Sequence, residues 1–518
     1  MTLPARVLAC VLGMVVVLAG VSCTPAGERI RLRVLASPEM RDVEPLLADL
    51  RAETGIELSL EYRATVDASA DIAAGGSGYD LAWLSSDKYL DLRLRAQRPP
   101  RNLPPSTAIM TSPVVIGVTG AVADKVAARG PNPTWATIAD LAAAGELRFA
   151  MGDPRHSGSG LSALVGVATA AADTGQALRV EDVRCDRLSG FRTGHTVATD
   201  SSADAAERFT SPGGLDGLIA TESVLLELNA SGKLPEPLRI VYPADGIVLA
   251  DHPLLLLDDA HHAAYEKVTT WLRAESAQRW IMDNTARRPI NPDVPRSDRL
   301  ARSVGTALYY PDDLDVIKTL LDNYGQPGHG DPARRHVVFV LDYSGSMRGD
   351  RIAELRAAFN ELTGAGESSF VRFHQGERMS VLKFADGVLD QREFAVAGEQ
   401  DMAALRDMIA VENFGDHTAI WSAVGAAYDI GVKVRAARPG TQVSVVLMTD
   451  GLNNAGDTAD AFLAARQARG PVGPLFPILF GDADAAELSR VATATGGSMI
   501  DATAGSLADA FKESRGCF

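Results

Sequence analysis

The stretch His336 to Asp350, HVVFVLDYSGSMRGD, constrains the fold of this chain more than any other. Val337 to Leu341 are five apolar residues in a row, rich in β-branched side chains and closed by an acid. A short apolar run of this kind, bounded by turn residues, predicts a strand buried on both faces of a parallel sheet. The residues that follow carry chemistry instead of packing. Asp342, Ser344 and Ser346 put three oxygen side chains on the turn that leaves the strand's carboxyl end, which is where open α/β sheets bind their ligands. Hard oxygen donors with no nearby Cys or His favour Mg²⁺, Mn²⁺ or Ca²⁺ over zinc.

The run Asp342-Tyr-Ser344-Gly-Ser346 resembles the DxSxS signature of the von Willebrand factor A domain and its metal ion-dependent adhesion site. Two later positions match the rest of that site. Thr418, in FGDHTAIWSAV, resembles the family's Gly-x-Thr loop, and Asp450 ends the apolar run VSVVLMTD as the family's second aspartate does. The resemblance implies that Ser344, Ser346 and Thr418 coordinate the metal through hydroxyls, while Asp342 and Asp450 hold it mainly through water. It also implies a protein partner whose exposed Asp or Glu completes the octahedron. Asp416 and His417 depart from the glycines common before the threonine, which puts loop stiffness and local charge in question.

A chain of 518 residues is too long for one ordinary core, so two or three domains are expected. The formal charge of −16, without a basic cluster, argues against a nucleic-acid partner. Residues 1–22 read as a secretory signal: Arg6 precedes an apolar run, Val7 to Val21, that is short for a membrane span. Cys23, followed by a polar tether over 23–29, resembles the cleavage site of bacterial lipoproteins, although Gly20 stands where that site usually has Leu. The expectation is a protein lipidated at Cys23 and anchored to the extracytoplasmic face of the cell membrane, with free secretion and an uncleaved anchor as alternatives. Once Cys10 leaves and Cys23 carries lipid, Cys185 and Cys517 remain, either as a disulfide or as two thiols.

Strand and helix patterns alternate from Arg29 onward, as in a parallel sheet covered on both faces. Their order over residues 30–295, with YDLAWLSS, TSPVVIGV and the SGSG turn, resembles bacterial extracellular solute-binding proteins. The resemblance implies two lobes closing on a small molecule or peptide, and its landmarks are Ser37, Ser86, Ser112, Glu222 and Tyr242. Ser157 and Ser159 stand in a turn before the helical run LSALVGVATAAA, so a helix N-terminus with free N–H groups suits an anion or carboxylate there; an ordinary helix cap is the alternative. The amphipathic stretches Glu39–Thr54 and YEKVTTWLRAESAQRWIM each read as one helix, the second closing the domain. Asp258, Asp259, His261, His262 and Glu266 read as charges of a helix start and not as a metal site. Residues 296–334 read as a linker with a short helix, LDVIKTLLDNY, and a Gly/Pro-rich end, YGQPGHGDP, at which the two halves are expected to separate, and 335–518 as a doubly wound, Rossmann-like domain.

The sequence has no GxxxxGK[ST], HExxH, GxSxG or CxxC motif, so it reads as a binding protein and not an enzyme. The competing readings are a component that delivers solute to an ABC-type transporter, with the second domain as a docking module, and a hydrolase using Ser159 with His156 or His195.

Overall fold

The computed structural model describes residues 30–514 apart from 77, 184, 326–334, 367–369, 471 and 504. The expectations for the signal segment, Cys23, the tether, the Cys185–Cys517 pair and the Gly/Pro-rich end of the linker fall outside what is described.

The first lobe is built on β1 (Ile30–Ala36), β2 (Ile56–Tyr62), β3 (Leu81–Trp83) and β4 (Ser106–Ala108). The second adds β5 (Met110–Val118), β6 (Phe149–Gly152), β7 (His195–Thr199), β8 (Gly217–Thr221), β9 (Arg239–Val241) and β10 (Leu249–Ala250). β11 (Pro253–Leu256) returns to the first lobe, giving the order β2-β1-β3-β11-β4. In the second lobe the order is β10-β5-β8-β6-β7, with β9 and β12 (Arg288–Pro289) also pairing β5. The chain therefore crosses between lobes at Ile109 and again between β10 and β11, and β12 ties the first lobe's end back onto the start of β5.

Two helices expected as single pieces are each broken. Pro45 separates a 3₁₀ turn, Pro38–Val43, from the helix Leu46–Thr54, because proline lacks the donor needed inside a helix. The closing helix is two, His262–Leu272 and Glu275–Thr285, parted at Arg273 and Ala274, where Ala274 takes an extended conformation.

The third sheet is the expected doubly wound one: β13 (Arg335–Asp342), β14 (Arg378–Phe384), β15 (Val388–Ala395), β16 (Gln442–Thr449), β17 (Leu475–Leu479) and β18 (Ile500–Asp501), in the order β15-β14-β13-β16-β17-β18. β13 is central and parallel to both neighbours, which is why its side chains are apolar almost without a break. The edge strand β15 escapes the apolar pattern because it pairs antiparallel on one side only, and most of its side chains face solvent or are half-buried.

The segment expected as linker does carry its helix, Leu314–Gly325. It is a poor linker, however: Val316, Ile317 and Leu320 are fully buried in a core shared by second-lobe residues and by Val66, Tyr89 and Leu92 of the first lobe. The C-terminal domain also docks on the second lobe. Phe370 joins that same core, its N–H donates to the Asp140 carboxylate at 2.9 Å, and the Gln375 N–H donates to the Ala143 carbonyl at 2.8 Å.

Candidate metal centre and solute cleft

β13 and β16 run parallel in register, Leu341 beside Met448, so Asp342 and Asp450 leave the sheet at adjacent carboxyl ends. Both are buried. Each carboxylate oxygen already has a protein donor. Asp342 Oδ1 accepts from the Ser344 N–H at 2.7 Å and Oδ2 from the Thr449 hydroxyl at 2.6 Å. Asp450 Oδ1 accepts from the Ser346 hydroxyl at 2.8 Å, and Oδ2 from Nη1 of Arg351 at 2.5 Å. The hydroxyls of Ser344 and Ser346 are 3.0 Å apart. Those of Ser346 and Thr418 flank Gly451, where a Cβ would lie 3.6 and 3.8 Å from them.

Thr418 is positioned by Asn454, whose side-chain oxygen accepts its N–H at 2.7 Å. The departure just before it, Asp416-His417, is tied down by Asp386. That carboxylate accepts both backbone N–H groups at 3.1 Å, and the His417 ring lies 2.7 Å from it. The loop is thus held through an acidic side chain at the point where the family commonly has glycines.

Burial pushes the Asp342 carboxyl up to about 6, and the nearby Asp450 charge adds to this, although the bonds from Thr449 and Ser344 oppose it. Two buried carboxylates side by side, with three hydroxyls at one strand end, form a donor set that fits a hard divalent cation. Thr449, Asp386, Asn454 and Arg351 were not read from sequence. Asn454 and Thr449 lie within a few residues of Asp450 and offered a local signal, but Arg351 and Asp386 reach the site only through the fold.

In the two-lobed domain the structure gathers some of the expected landmarks and scatters others. Ser157 caps the helix Gly158–Ala172, accepting the Gly160 N–H at 3.3 Å. Gly160 is required there, since a Cβ would lie 2.0 Å from the Gly152 carbonyl oxygen. Ser159 lies 3.0 Å from the Ser157 hydroxyl and accepts from the Ser202 hydroxyl at 2.6 Å. The first lobe meets this cluster: the Ser202 N–H donates to Glu39 at 3.4 Å, and Glu39 also accepts from Ser37. The lobes touch again where the Val66 N–H donates to the His156 carbonyl at 2.9 Å.

Ser112 stands apart, bonded to Ser223. Glu222 and Tyr242 are engaged in a buried ion pair: Arg288 donates twice to Glu222, at 2.7 and 2.8 Å, and the Tyr242 hydroxyl donates to it as well. Ser86 accepts the Lys88 N–H at 3.4 Å and, among the described residues, joins none of these groups. Among the described residues the hydroxyl of Ser159 is bonded to serines, while His156 pairs with Asp67 at 3.0 Å and His195 meets Tyr324. In the acidic and histidine-rich stretch, Asp258 caps Ala260 at 2.9 Å, but the carboxylates of Asp258 and Asp80 and the His261 ring also lie within 4.8 Å of one another, a grouping that could hold a metal although helix-start charges alone were expected.

The unforeseen residues here are Glu39 and Ser202 between the lobes, Arg287 beside Glu39, and His252 in the crossing segment between β10 and β11. Ser201-Ser-Ala-Asp204 carries a helix-start pattern, with Ser201 as the cap, that sequence reading could have used. Arg287 and His252 gave no local signal. Arg287 is buried and donates to Asp42 and to the Glu39 carbonyl, each at 2.6 Å. Neither ring nitrogen of the fully buried His252 has a partner among the described residues, and burial holds its pKa well below the usual histidine value.

Residues 32–284 match the family model for bacterial extracellular solute-binding protein, and residues 336–513 match that for the von Willebrand factor type A domain. The chain thus carries a solute-binding-protein-like domain followed by a von Willebrand factor type A domain. Among solved structures, the first domain is similar to the periplasmic binding protein AfuA from Actinobacillus pleuropneumoniae, described with exogenous fructose-6-phosphate bound (17% identity, 57% of this chain and 98% of that one, TM-score 0.44). It is also similar to a periplasmic thiamin binding protein (12%, 57% and 96%, TM-score 0.45) and to a ferric binding protein from Campylobacter jejuni (13%, 57% and 99%, TM-score 0.43). No curated protein matches the chain. Among the described residues no helix is long and apolar enough to cross a membrane.

Proposed function

We propose that this chain is an extracytoplasmic, membrane-anchored binding protein without catalytic activity, lipidated at Cys23, whose C-terminal domain grips a protein partner through a divalent metal. Ser344, Ser346 and Thr418 would hold Mg²⁺, or Mn²⁺ or Ca²⁺, through their hydroxyls, with Asp342 and Asp450 behind them. The observation that carries this is the pair of buried carboxylates at adjacent strand ends, every oxygen engaged by a protein donor, with hydroxyls in front. Such carboxylates are set to act through water, and a bound ion would then supply an electrophilic position for an Asp or Glu of the partner.

The two-lobed domain binds a small solute or peptide in this reading. Glu39 places a carboxylate beside the serine hydroxyls, so a solute that donates hydrogen bonds, through hydroxyl or ammonium groups, suits the cleft better than the free anion that the helix N-terminus alone suggests. A second reading, solute delivery to an ABC-type transporter with the C-terminal domain as docking module, draws support from the solute-binding family match over residues 32–284.

Titration calorimetry of Mg²⁺ and Mn²⁺ tests the metal. Binding to the native protein that is sharply weakened in Asp342→Ala and Thr418→Ala supports the site, while equal affinity in all three removes it. Partner capture abolished by a chelator favours adhesion, and a solute that stays in the cleft under chelator with no partner recovered favours delivery.

A further inference from the structure

Arg351 is the second residue of the helix Asp350–Thr363, which follows the Ser344–Ser346 turn. Its guanidinium spans two carboxylates, with Nη1 2.5 Å from Asp450 Oδ2 and Nη2 3.0 Å from Asp482 Oδ2. The three side chains form a gradient from inside to outside: Asp450 is 0% exposed, Arg351 32% and Asp482 91%. Gly481 makes room for the fork. It has a φ of +72°, and a Cβ there would come within 3.0 Å of the guanidinium carbon and 3.2 Å of the Asp450 Cβ. Both strain and space therefore demand glycine, and the guanidinium is confined against that turn.

Building on the metal reading above, we propose that Arg351 is a positioning residue that keeps Asp450 out of direct contact with the metal. Asp342 is held by two neutral donors, a backbone N–H and a hydroxyl. Asp450 is the one of the pair held by a cation, and a charge-assisted bond is the stronger tether. A carboxylate freed beside a divalent ion displaces a water and delivers its full charge to the ion. That raises metal affinity and weakens the ion's pull on an incoming carboxylate. Arg351 sets the balance the other way, sharing the charge of Asp450 so that the ion stays hydrated and electrophilic. A guanidinium can serve Asp450 and Asp482 at once through separate nitrogens, which a lysine ammonium on a flexible stem does less well.

The test is Mn²⁺ titration into the full chain, with metal-bound waters counted from the relaxation of water protons. R351Q is expected to bind Mn²⁺ on the order of tenfold more tightly, because a positive charge beside the site is gone, and to carry one water fewer on the ion. R351K retains the charge next to Asp450 and is expected to stay near wild type in both readouts. An R351Q protein with the wild-type water count overturns the proposal, whatever its affinity. If R351Q loses its native circular dichroism, R351M, which keeps an apolar stem against Gly481, carries the same expectations. Failure of the wild-type chain to bind Mn²⁺ sinks the metal reading itself. Wild-type binding that Asp342→Ala weakens, with R351Q unchanged, leaves that reading standing and removes only the role of Arg351.

Discussion

Replacing Asp342 by Ala removes one of the two negative charges behind the metal position and leaves the Ser344 N–H and Thr449 hydroxyl without their acceptor. On the proposed reading, in which this carboxylate acts on the ion through water, Mn²⁺ affinity should fall by roughly 10–100-fold, while calorimetric unfolding still shows the C-terminal domain as a cooperative unit. His336, at the other end of the same strand, gives a pH prediction. Burial lowers its pKa from 6.5 to about 4, with its ring between the Ser380 hydroxyl and Arg438. A lowered folded-state pKa means that the unfolded chain takes the proton first. Its contribution is complete above about pH 6.5 and is lost as the pH falls toward 4, in total about 3 kcal/mol. Chemical denaturation of the wild type across that window should show the decline, and His336→Asn should flatten it. The five candidate metal-site residues were legible in the sequence through their resemblance to a known motif, in which the two acids close apolar runs and Thr418 stands in a loop before a helix. Arg351 was not, since its contact with Asp450 depends on how a helix start lies against a strand end far along the chain.

The helix Leu314–Gly325 was legible as a helix but not as part of the core. Its apolar face reads the same whether it covers a lobe or waits for a partner; only the burial of Val316, Ile317 and Leu320 shows which. Leu320→Ala should cost about 2–5 kcal/mol in the unfolding of the two-lobed domain, against no change if the helix were a free linker. Glu222 and Tyr242 show partners that the sequence did not reveal. Both were expected to meet a solute, yet Arg288 from β12 occupies Glu222, and the Tyr242 hydroxyl is spent on the same carboxylate. Arg288→Met leaves Glu222 buried without a cation and should destabilise that domain by about 3–5 kcal/mol, measured by urea denaturation. Loss of solute affinity at unchanged stability would instead restore Glu222 to the cleft. Helix breaks at Pro45 and at Ala274 escaped periodicity, which continues across a short interruption when the same face is buried on both sides.

The two halves of the chain were expected to separate at the Gly/Pro-rich segment, and the docking of Phe370 and Gln375 on the second lobe changes what cleavage there should yield. After limited proteolysis between 325 and 332 under reducing conditions, the fragments should stay together on gel filtration. Phe370→Ala, which withdraws a buried ring from the shared core, should let them part. Fragments that part in the wild type would show that this contact is too weak to hold the domains. Expression of a Cys23→Ala variant addresses the anchor: the protein should move from the membrane fraction to the soluble extracytoplasmic fraction, and retention in the membrane would point to another attachment.

Apolar periodicity and punctuation carried the α/β class, while short motifs that resemble two known families carried the division into a two-lobed and a doubly wound domain and the five residues of the candidate metal centre. These are local properties: apolar runs predict strands, and the polar residues that end them lie where such sheets open. Tertiary structure alone decided the rest. It brought Glu39 of one lobe to Ser202 of the other, drew the supposed linker helix and Phe370 into one core, and set Arg351 between Asp450 and Asp482. Each of those contacts joins residues far apart in the chain, and no local pattern encodes which distant group will satisfy a buried charge or fill a gap in a packed core.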